Sequence, residues 1–363
     1  MADRFHEQIE AARREPAYGC YLRVRDWVLR LLSERSGPDA SGYWAEELAG
    51  FDYMLDASPL IIRKLREHCY HLTGLRSYEY RGHHRHRAPA FADKLRSLAA
   101  LDRRGLFIPE PADLGGFGHR IDGRLVNVDT LKFYECLIAL DRVGILPSLE
   151  EGGGAGKTVL EIGAGWGGLA HQLRVRCPRI AYFIIDLPST LLFSATYLGT
   201  LFPGASILLP ERPEDLEPDR LRNRDFVFIP HFWADRLRGP RPDLVINTVS
   251  FQEMTELQVA AYVDLAASLG CPVIFSLNRD HSPHNAELSS IIPHLDRRYE
   301  LEEVPMLEVA YPIVRETKPR THGRPVLEVR SEDYRHIVGR LRPGNPEGPG
   351  FPHPNRRGGL SGS

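Results

Sequence analysis

The sequence predicts an α/β fold, a Rossmann-like and mostly parallel sheet covered on both faces by helices, preceded by a helical N-terminal region. Three observations predict it. From Thr158 onward short runs rich in β-branched and aromatic residues (TVLEI, AYFIID, FVFIP, DLVIN, PVIFSLN) alternate with helical stretches, the pattern of consecutive βαβ units. The first run feeds a turn of closely spaced glycines, Gly163-Ala164-Gly165-Trp166-Gly167-Gly168, and then a helix stopped by Pro178. Ahead of a glycine-rich linker at 152–156, apolar residues recur at helical spacing and not in alternation.

In the first half, Tyr21, Val24, Val28, Leu31 and Leu32 form one apolar stripe with Arg23, Arg25 and Arg30 between them. A second helix is expected from Ser58-Pro59, where Ser58 caps the orphan amides and Pro59 loses no hydrogen bond, through Leu60, Ile61, Leu65 and Leu72 to Gly74. A third begins near Asp129-Thr130 and stops at Gly144. Between them lie a basic, histidine-rich run, Arg81 to Arg87, and the glycine-rich PADLGGFGHRIDG. The basic run reads as a solvated loop, since it lacks the interleaved aromatics that stack on bases; the functional alternative is a lid that meets an anionic acceptor. Beyond the sheet strands, Ser206-Ile207-Leu208-Leu209 competes for a strand position, and YELEEVPML and RPVLEVRS are expected to close one edge as an antiparallel pair. The Pro/Gly-rich end is expected to be disordered. The expected division is 1–125 for the helical acceptor or lid region, 126–335 for the sheet domain, and 336–363 for the tail.

Composition narrows the function classes. The chain has 363 residues, 42% hydrophobic and 26% charged, with a formal net charge of −2. That balance argues against an extended nucleic-acid surface. Five scattered cysteines without a CxxC pair read as buried thiols in a reducing compartment. The charged, amphipathic N-terminus is no signal peptide, and no run approaches the roughly 18–20 apolar residues of a membrane span. The expectation is a cytoplasmic protein acting on a small molecule, with homo-oligomerisation left open.

Two cofactor classes fit the glycine turn. Gly163, Gly165 and Gly168 satisfy G-x-G-x-x-G, and Asp186 lies where a ribose-binding acid would stand in a dinucleotide site. Glu161, two residues before Gly163, weighs against a pyrophosphate, which a carboxylate repels, and is compatible with a ligand carrying sulfonium and ammonium groups. The mid-chain position of the turn also weighs against a dinucleotide domain, which commonly opens with this fingerprint. Asp186 ends its strand and can accept both ribose hydroxyls; capping the helix that Pro188 opens is its bland alternative. The fourth strand delivers Asn247 and, beyond it, Glu253, while Arg279-Asp280-His281-Ser282-Pro283-His284-Asn285 and Pro230-His231-Phe232-Trp233 crowd polar groups onto the same carboxyl edge.

With these residues in view the chain resembles a class I S-adenosylmethionine-dependent methyltransferase. More narrowly it resembles the sugar O-methyltransferase family of bacterial saccharide and natural-product clusters. The narrower likeness rests on FDYMLDASPLIIRKLREHCYHLTG, LGGFGH with VNVDTLKFYECLIALD, VLEIGAGWGGLA, IIDLPSTLL, INTVSFQEM and SLNRD, spanning roughly Tyr43 to Tyr311. The resemblance implies S-adenosyl-L-methionine as cofactor, held by Glu161, Gly163, Ala164, Gly165, Gly167, Asp186, Leu187 and Asn247, with Tyr134 on the segment that closes over it. The acceptor it implies is a saccharide or glycoside hydroxyl; an amine, carboxylate or phenol is the alternative, and a non-catalytic scaffold a third. An acidic residue often holds the adenine amine in this fold, whereas Pro230-His231 occupies that position here.

A sugar hydroxyl is a poor nucleophile, so a base should take its proton as the bond forms. His281 is the first candidate, Glu253 the second and His231 the third, histidine having the best placed intrinsic pKa. A divalent ion held by Asp280 and Glu253 is a further option without supporting ligand spacing.

Overall fold

The computed structural model describes residues 2–34, 41–151, 156–281, 285–306, 313–317, 326–330 and 334–343. The linker at 152–155, the loop segment 282–284 with His284, and the tail from 344 lie outside the described residues.

The chain opens with helices α1 (Ala2–Arg13) and α2 (Pro16–Ser33). Tyr21, Val24, Val28 and Leu31 are buried along α2, and so is Trp27, whose indole N–H donates to the Pro210 carbonyl at 2.6 Å. After α3 (Gly42–Ala49), the helix expected from Ser58 to Gly74 is broken into α4 (Pro59–Ile62), a 3₁₀ turn (Leu65–His68) and α5 (Tyr70–Thr73). Both of its ends stand where the sequence places them. Ser58 Oγ accepts from the Ile61 N–H at 3.4 Å, and Gly74 adopts φ 69°, the left-handed conformation that lets it close a helix. The interruption turns Arg66 inward, where it is 1% exposed.

The basic run is no open loop but a 3₁₀ turn (Gly82–Arg87) leading directly into α6 (Ala88–Ala99). The glycine-rich stretch makes a hairpin, β1 (His119–Ile121) with β2 (Arg124–Val126), through a turn at Asp122-Gly123. Helix α7 (Val128–Arg142) starts from a reciprocal cap: Asn127 Oδ1 accepts from the Thr130 N–H, and Thr130 Oγ1 accepts from the Asn127 N–H. Gly144, at φ 75°, separates it from α8 (Ile145–Glu150).

The sheet follows as β3 (Thr158–Ile162), α9 (Gly168–Arg176), β4 (Ala181–Asp186), α10 (Pro188–Leu201), β5 (Ile207–Leu208), α11 (Pro218–Leu221), β6 (Phe226–Pro230), β7 (Leu244–Thr248), α12 (Glu256–Ser268), β8 (Val273–Arg279), α13 (Ile292–Asp296) and β9 (Tyr299–Glu303). A separate hairpin joins β10 (Ile313–Thr317) and β11 (Val326–Arg330), and β12 (Tyr334–Leu341) returns to the main sheet. The order is β5-β6-β4-β3-β7-β8-β12-β9. Strands β5 to β8 run parallel, and β12 is antiparallel to both β8 and β9. This is a Rossmann-like fold with one reversed strand inserted next to the last.

Two expectations about the edge are corrected. YELEEVPML does not pair with RPVLEVRS: its strand β9 pairs with β12, while Val326–Arg330 pairs with Ile313–Thr317. A domain boundary at 335 also falls inside β12, which buries Ile337 and Val338 and continues to Leu341. Strand alternation sends Val159 to one face of β3 and Leu160 and Ile162 to the other, so the sheet separates two apolar cores. The larger one joins α2, α6, α7, α9 and α10 to the sheet. Among the described residues no helix is long and apolar enough to cross a membrane.

Candidate active site

The β3–α9 turn lies at the carboxyl edge of the sheet, beside the point where strand order reverses between β3 and β7. Gly163 (φ 72°), Gly165 (φ 59°) and Gly167 (φ 85°) all occupy the left-handed region. At Gly163 a Cβ would collide with Ser250 Oγ, so only glycine fits. At Gly165 a Cβ would meet nothing within 4 Å; the backbone there is bare and borders a cavity of ≈ 480 Å³, inside the roughly 300–1,000 Å³ of small-molecule pockets.

Asp186, at the end of β4, also lines the cavity. The turn's own amides orient it: Gly165 N–H donates to Oδ2 at 2.9 Å and Leu187 N–H to Oδ1 at 2.8 Å. Burial pushes its pKa up to about 7, against those backbone donors, which pull it down. Gly163, Ala164, Gly165, Asp186 and Leu187 thus meet at one end of the cavity, with His231 and Glu253 also on its wall.

The remaining sequence candidates lie elsewhere. Glu161 is 1% exposed behind the turn, accepting from Tyr182 Oη at 2.8 Å; burial raises its pKa to about 8, with Asp186 adding to the effect and Tyr182 opposing it. Gly167 packs against Ser194 and Leu198 of α10. Asn247 is buried and does not line the cavity: its Nδ2 donates to the Ile162 carbonyl at 2.8 Å and to Ser250 Oγ, and its Oδ1 accepts from Phe251 N–H and Asn278 Nδ2. It fixes the turn after β7, where Val249 is held at φ 68°, a strained setting for a β-branched residue. Tyr134 points to the far side of α7, donating to Asp102 at 2.7 Å against the Phe107 ring. His281 is exposed and outside the cavity wall. Asp280 is committed to the start of α13, where its Oδ1 accepts from Ser290 Oγ and the amides of Ile291 and Ile292. Among the described residues no group of three or more His, Cys, Asp or Glu side chains is arranged to hold a metal ion.

The N-terminal region named by the sequence does reach the cavity, through Arg87 of the basic run and Lys132 of the segment before β3, while Trp44, His71 and His119 went unnamed by the sequence reading. Lys132 pairs with Asp129, three residues before it, at 3.0 Å. Beneath the turn, Arg66 binds Glu110 at 2.8 Å and Asp129 at 2.9 Å with all three side chains buried, and its guanidinium lies 3.6 Å over the Trp166 ring. Trp166 Nε1 donates to the same Asp129 at 3.1 Å, so the ion cluster positions the residue that follows Gly165.

A Cβ on Gly168 would collide with the rings of Phe133 and Trp166, so glycine there lets both rings pack against the start of α9.

No protein-family model matches the chain, and comparison with curated proteins finds no match. Solved structures similar to it include a precorrin-6Y C5,15-methyltransferase from Geobacter metallireducens GS-15 (17% identity, 55% of this chain, 88% of that one, TM-score 0.31). An O-methyltransferase family protein from Burkholderia thailandensis gives 14% identity over 70% of each chain, with a TM-score of 0.34. A magnesium protoporphyrin IX methyltransferase from Synechocystis PCC 6803 with bound SAM gives 15% identity over 60% of this chain and 85% of that one, with a TM-score of 0.35. At these values the activity has to be read from the chain's own residues.

Proposed function

We propose that the protein is an S-adenosylmethionine-dependent O-methyltransferase whose acceptor is a sugar or glycoside hydroxyl. The observation that carries the cofactor reading is the Asp186 carboxylate at the end of β4, oriented by the Gly165 and Leu187 amides beside the glycine turn. The bare backbone at Gly165 supports the fit, because a ligand can lie directly against the main chain there. The reversed β12 beside β8 and the wall of N-terminal residues are in keeping with the class I resemblance and with an acceptor region at 1–125.

When bound, S-adenosylmethionine supplies an electrophilic methyl group on its sulfonium. Asp186 accepts the ribose hydroxyls, and Leu187 and His231 border the adenine. Lys132, held by Asp129, places an ammonium beside Phe133 and Trp166 for the methionine carboxylate. Glu161 stays behind the turn and keeps its backbone in place through Tyr182. Of the three candidate bases, Glu253 takes the acceptor proton, since it stands on the cavity wall after β7 and His281 does not. The cavity's remaining duty is to hold the acceptor oxygen against the methyl carbon, and such positioning is worth several kcal/mol.

Calorimetry on the full chain tests the cofactor. S-adenosylhomocysteine is expected to bind and NADH to be ignored; the reverse would remove the proposal. A panel of nucleotide-sugars and glycosides with methyl-labelled cofactor, read by product mass, tests the acceptor. Methylation confined to amines or phenols would refute the sugar hydroxyl.

A further inference from the structure

Part of the cavity wall comes from the first 121 residues. It is built by the 3₁₀ turns Ser77–Tyr80 and Gly82–Arg87, by α6 and by β1. His119 is 3% exposed, its ring held 4.9 Å from that of Tyr80 and 4.7 Å from that of Phe91. Its Nε2 is buried without a hydrogen-bond partner among the described residues, although the residue lines the cavity. Orphaned donors and acceptors of this kind are costly and point to a ligand that would satisfy them. Arg87 lines the same wall, its side chain 14% exposed and its Nη1 3.9 Å from Glu79 Oε2, too far for a hydrogen bond.

We propose that this wall is a subsite for an anionic group of the acceptor, a carboxylate or a phosphoryl, bound by the Arg87 guanidinium and by His119 donating from Nε2. The inference rests on reading the cavity as the acceptor site and narrows the acceptor to an acidic or phosphorylated sugar. The local field agrees with it: burial first, then Arg87, His86 and His84 hold the His119 pKa down to about 4. Groups that oppose a proton on His119 attract an anion to the same place. A neutral imidazole with hydrogen on Nε2 can donate to that anion, so the subsite needs no proton uptake. Glu79 faces Arg87 from the neighbouring turn, so an incoming anion competes with it for the guanidinium.

The test is calorimetric titration of the full chain, saturated with S-adenosylhomocysteine, using inorganic phosphate, D-glucuronate and D-glucose as probes. Phosphate or glucuronate is expected to bind more tightly than glucose, and whichever of the two binds identifies the anion. Arg87→Ala should weaken that anion by about ten- to hundred-fold, Arg87→Lys should restore part of it, and glucose should be unaffected. His119→Gln, which keeps a donor, should retain most of the affinity that His119→Leu loses. Thermal melting of each variant serves as the fold control. Equal anion binding by wild type and Arg87→Ala, or no anion binding by the wild type, would overturn the subsite. If the wild type fails to take S-adenosylhomocysteine, the methyltransferase reading falls instead, and titration of the ligand-free chain with the same anions still decides the subsite.

Discussion

Asp186→Asn separates the proposed cofactor site from a mere structural turn, and its size can be worked from the geometry. In the native protein both carboxylate oxygens already accept one backbone amide, from Gly165 at 2.9 Å and Leu187 at 2.8 Å. Each oxygen keeps a second lone pair for a ribose hydroxyl. Asparagine leaves one oxygen and sets an NH2 against an N–H donor on the other side. One ribose hydroxyl loses its acceptor and the other loses the charge on its partner. Hydrogen bonds to charged groups are worth about 1.5–3 kcal/mol and neutral ones about 1, so the total is about 2–5 kcal/mol. Affinity for S-adenosylhomocysteine should therefore fall by about 30- to 4,000-fold. The assay is calorimetry at pH 8, above the native pKa of about 7, so that the wild-type carboxylate is ionised. Thermal melting of both proteins checks that the variant is folded. A variant that melts normally and binds S-adenosylhomocysteine within about threefold of wild type would refute the assignment of Asp186 to the ribose.

Three further outcomes follow from the same coordinates. Glu253→Gln should lower kcat by about 10²-fold or more while leaving S-adenosylhomocysteine affinity near wild type, and His281→Ala, exposed outside the cavity, should change neither; a kcat loss confined to the histidine variant would reverse the choice of base. Arg66→Met leaves Glu110 a buried carboxylate without its cation and Asp129 with Lys132 alone, and urea denaturation should show a loss of about 3–5 kcal/mol; a loss under 1 kcal/mol would mean the cluster does not hold the turn. The third outcome concerns pH. Asp186 and Glu161 are raised, chiefly by burial, from 3.8 to about 7 and from 4.5 to about 8, so the folded state binds their protons more tightly than the unfolded one. The stability this confers is present below pH 4 and lost as pH rises through 7 and 8, so the ligand-free chain should melt higher at pH 5.5 than at pH 8.5, with Asp186→Asn shrinking the difference. Cofactor affinity should run the other way, falling below pH 7 as the ribose acceptor protonates; a Kd for S-adenosylhomocysteine flat from pH 5.5 to 8.5 would contradict it.

The parallel strands were legible because each is a short apolar run between a helix and a turn: β3, β4, β6, β7 and β8 stand at the expected places, and Ile207–Leu208, which competed for a position, adds β5 beside them. The edge was not. YRHIVGRL carries Arg335, His336 and Arg340 and adjoins a Pro/Gly-rich end, yet Ile337 and Val338 are buried because β8 and β9 flank the strand on both sides. Which antiparallel partners close a sheet depends on distant neighbours and register, and alternation alone does not encode them. The site divides the same way. Gly163, Gly165 and Asp186 belong to a local strand–turn–helix unit, so spacing finds them. Tyr134 and His281 were chosen for their sequence neighbourhood, and their side chains follow long-range packing instead: Tyr134 turns to Asp102, and Asp280, by capping α13, carries the next residue outward. Arg87, His119 and Lys132 reach the cavity only through the packing of the first 130 residues on the sheet, which no local pattern records.

That packing bears on how the acceptor wall works. A region that merely covered a Rossmann-like domain would meet it across a polar interface and move as a lid. Here the two share one apolar core: Tyr21, Trp27, Met54 and Phe91 belong to the same buried cluster as Phe133, Tyr197, Phe228 and Val338. Trp27 donates across the boundary to Pro210, and Arg66 joins Glu110 and Asp129 under Trp166. Displacing the first 125 residues as a body would expose this core and part the buried Arg66 from Asp129, a cost of many kcal/mol that ligand binding cannot supply. The wall bearing His119 and Arg87 is thus held at a fixed distance from the glycine turn. Under the proposed function, acceptor selection depends on the length and charge of the molecule that spans the gap, and a substrate too short to touch both ends should lose kcat as well as affinity.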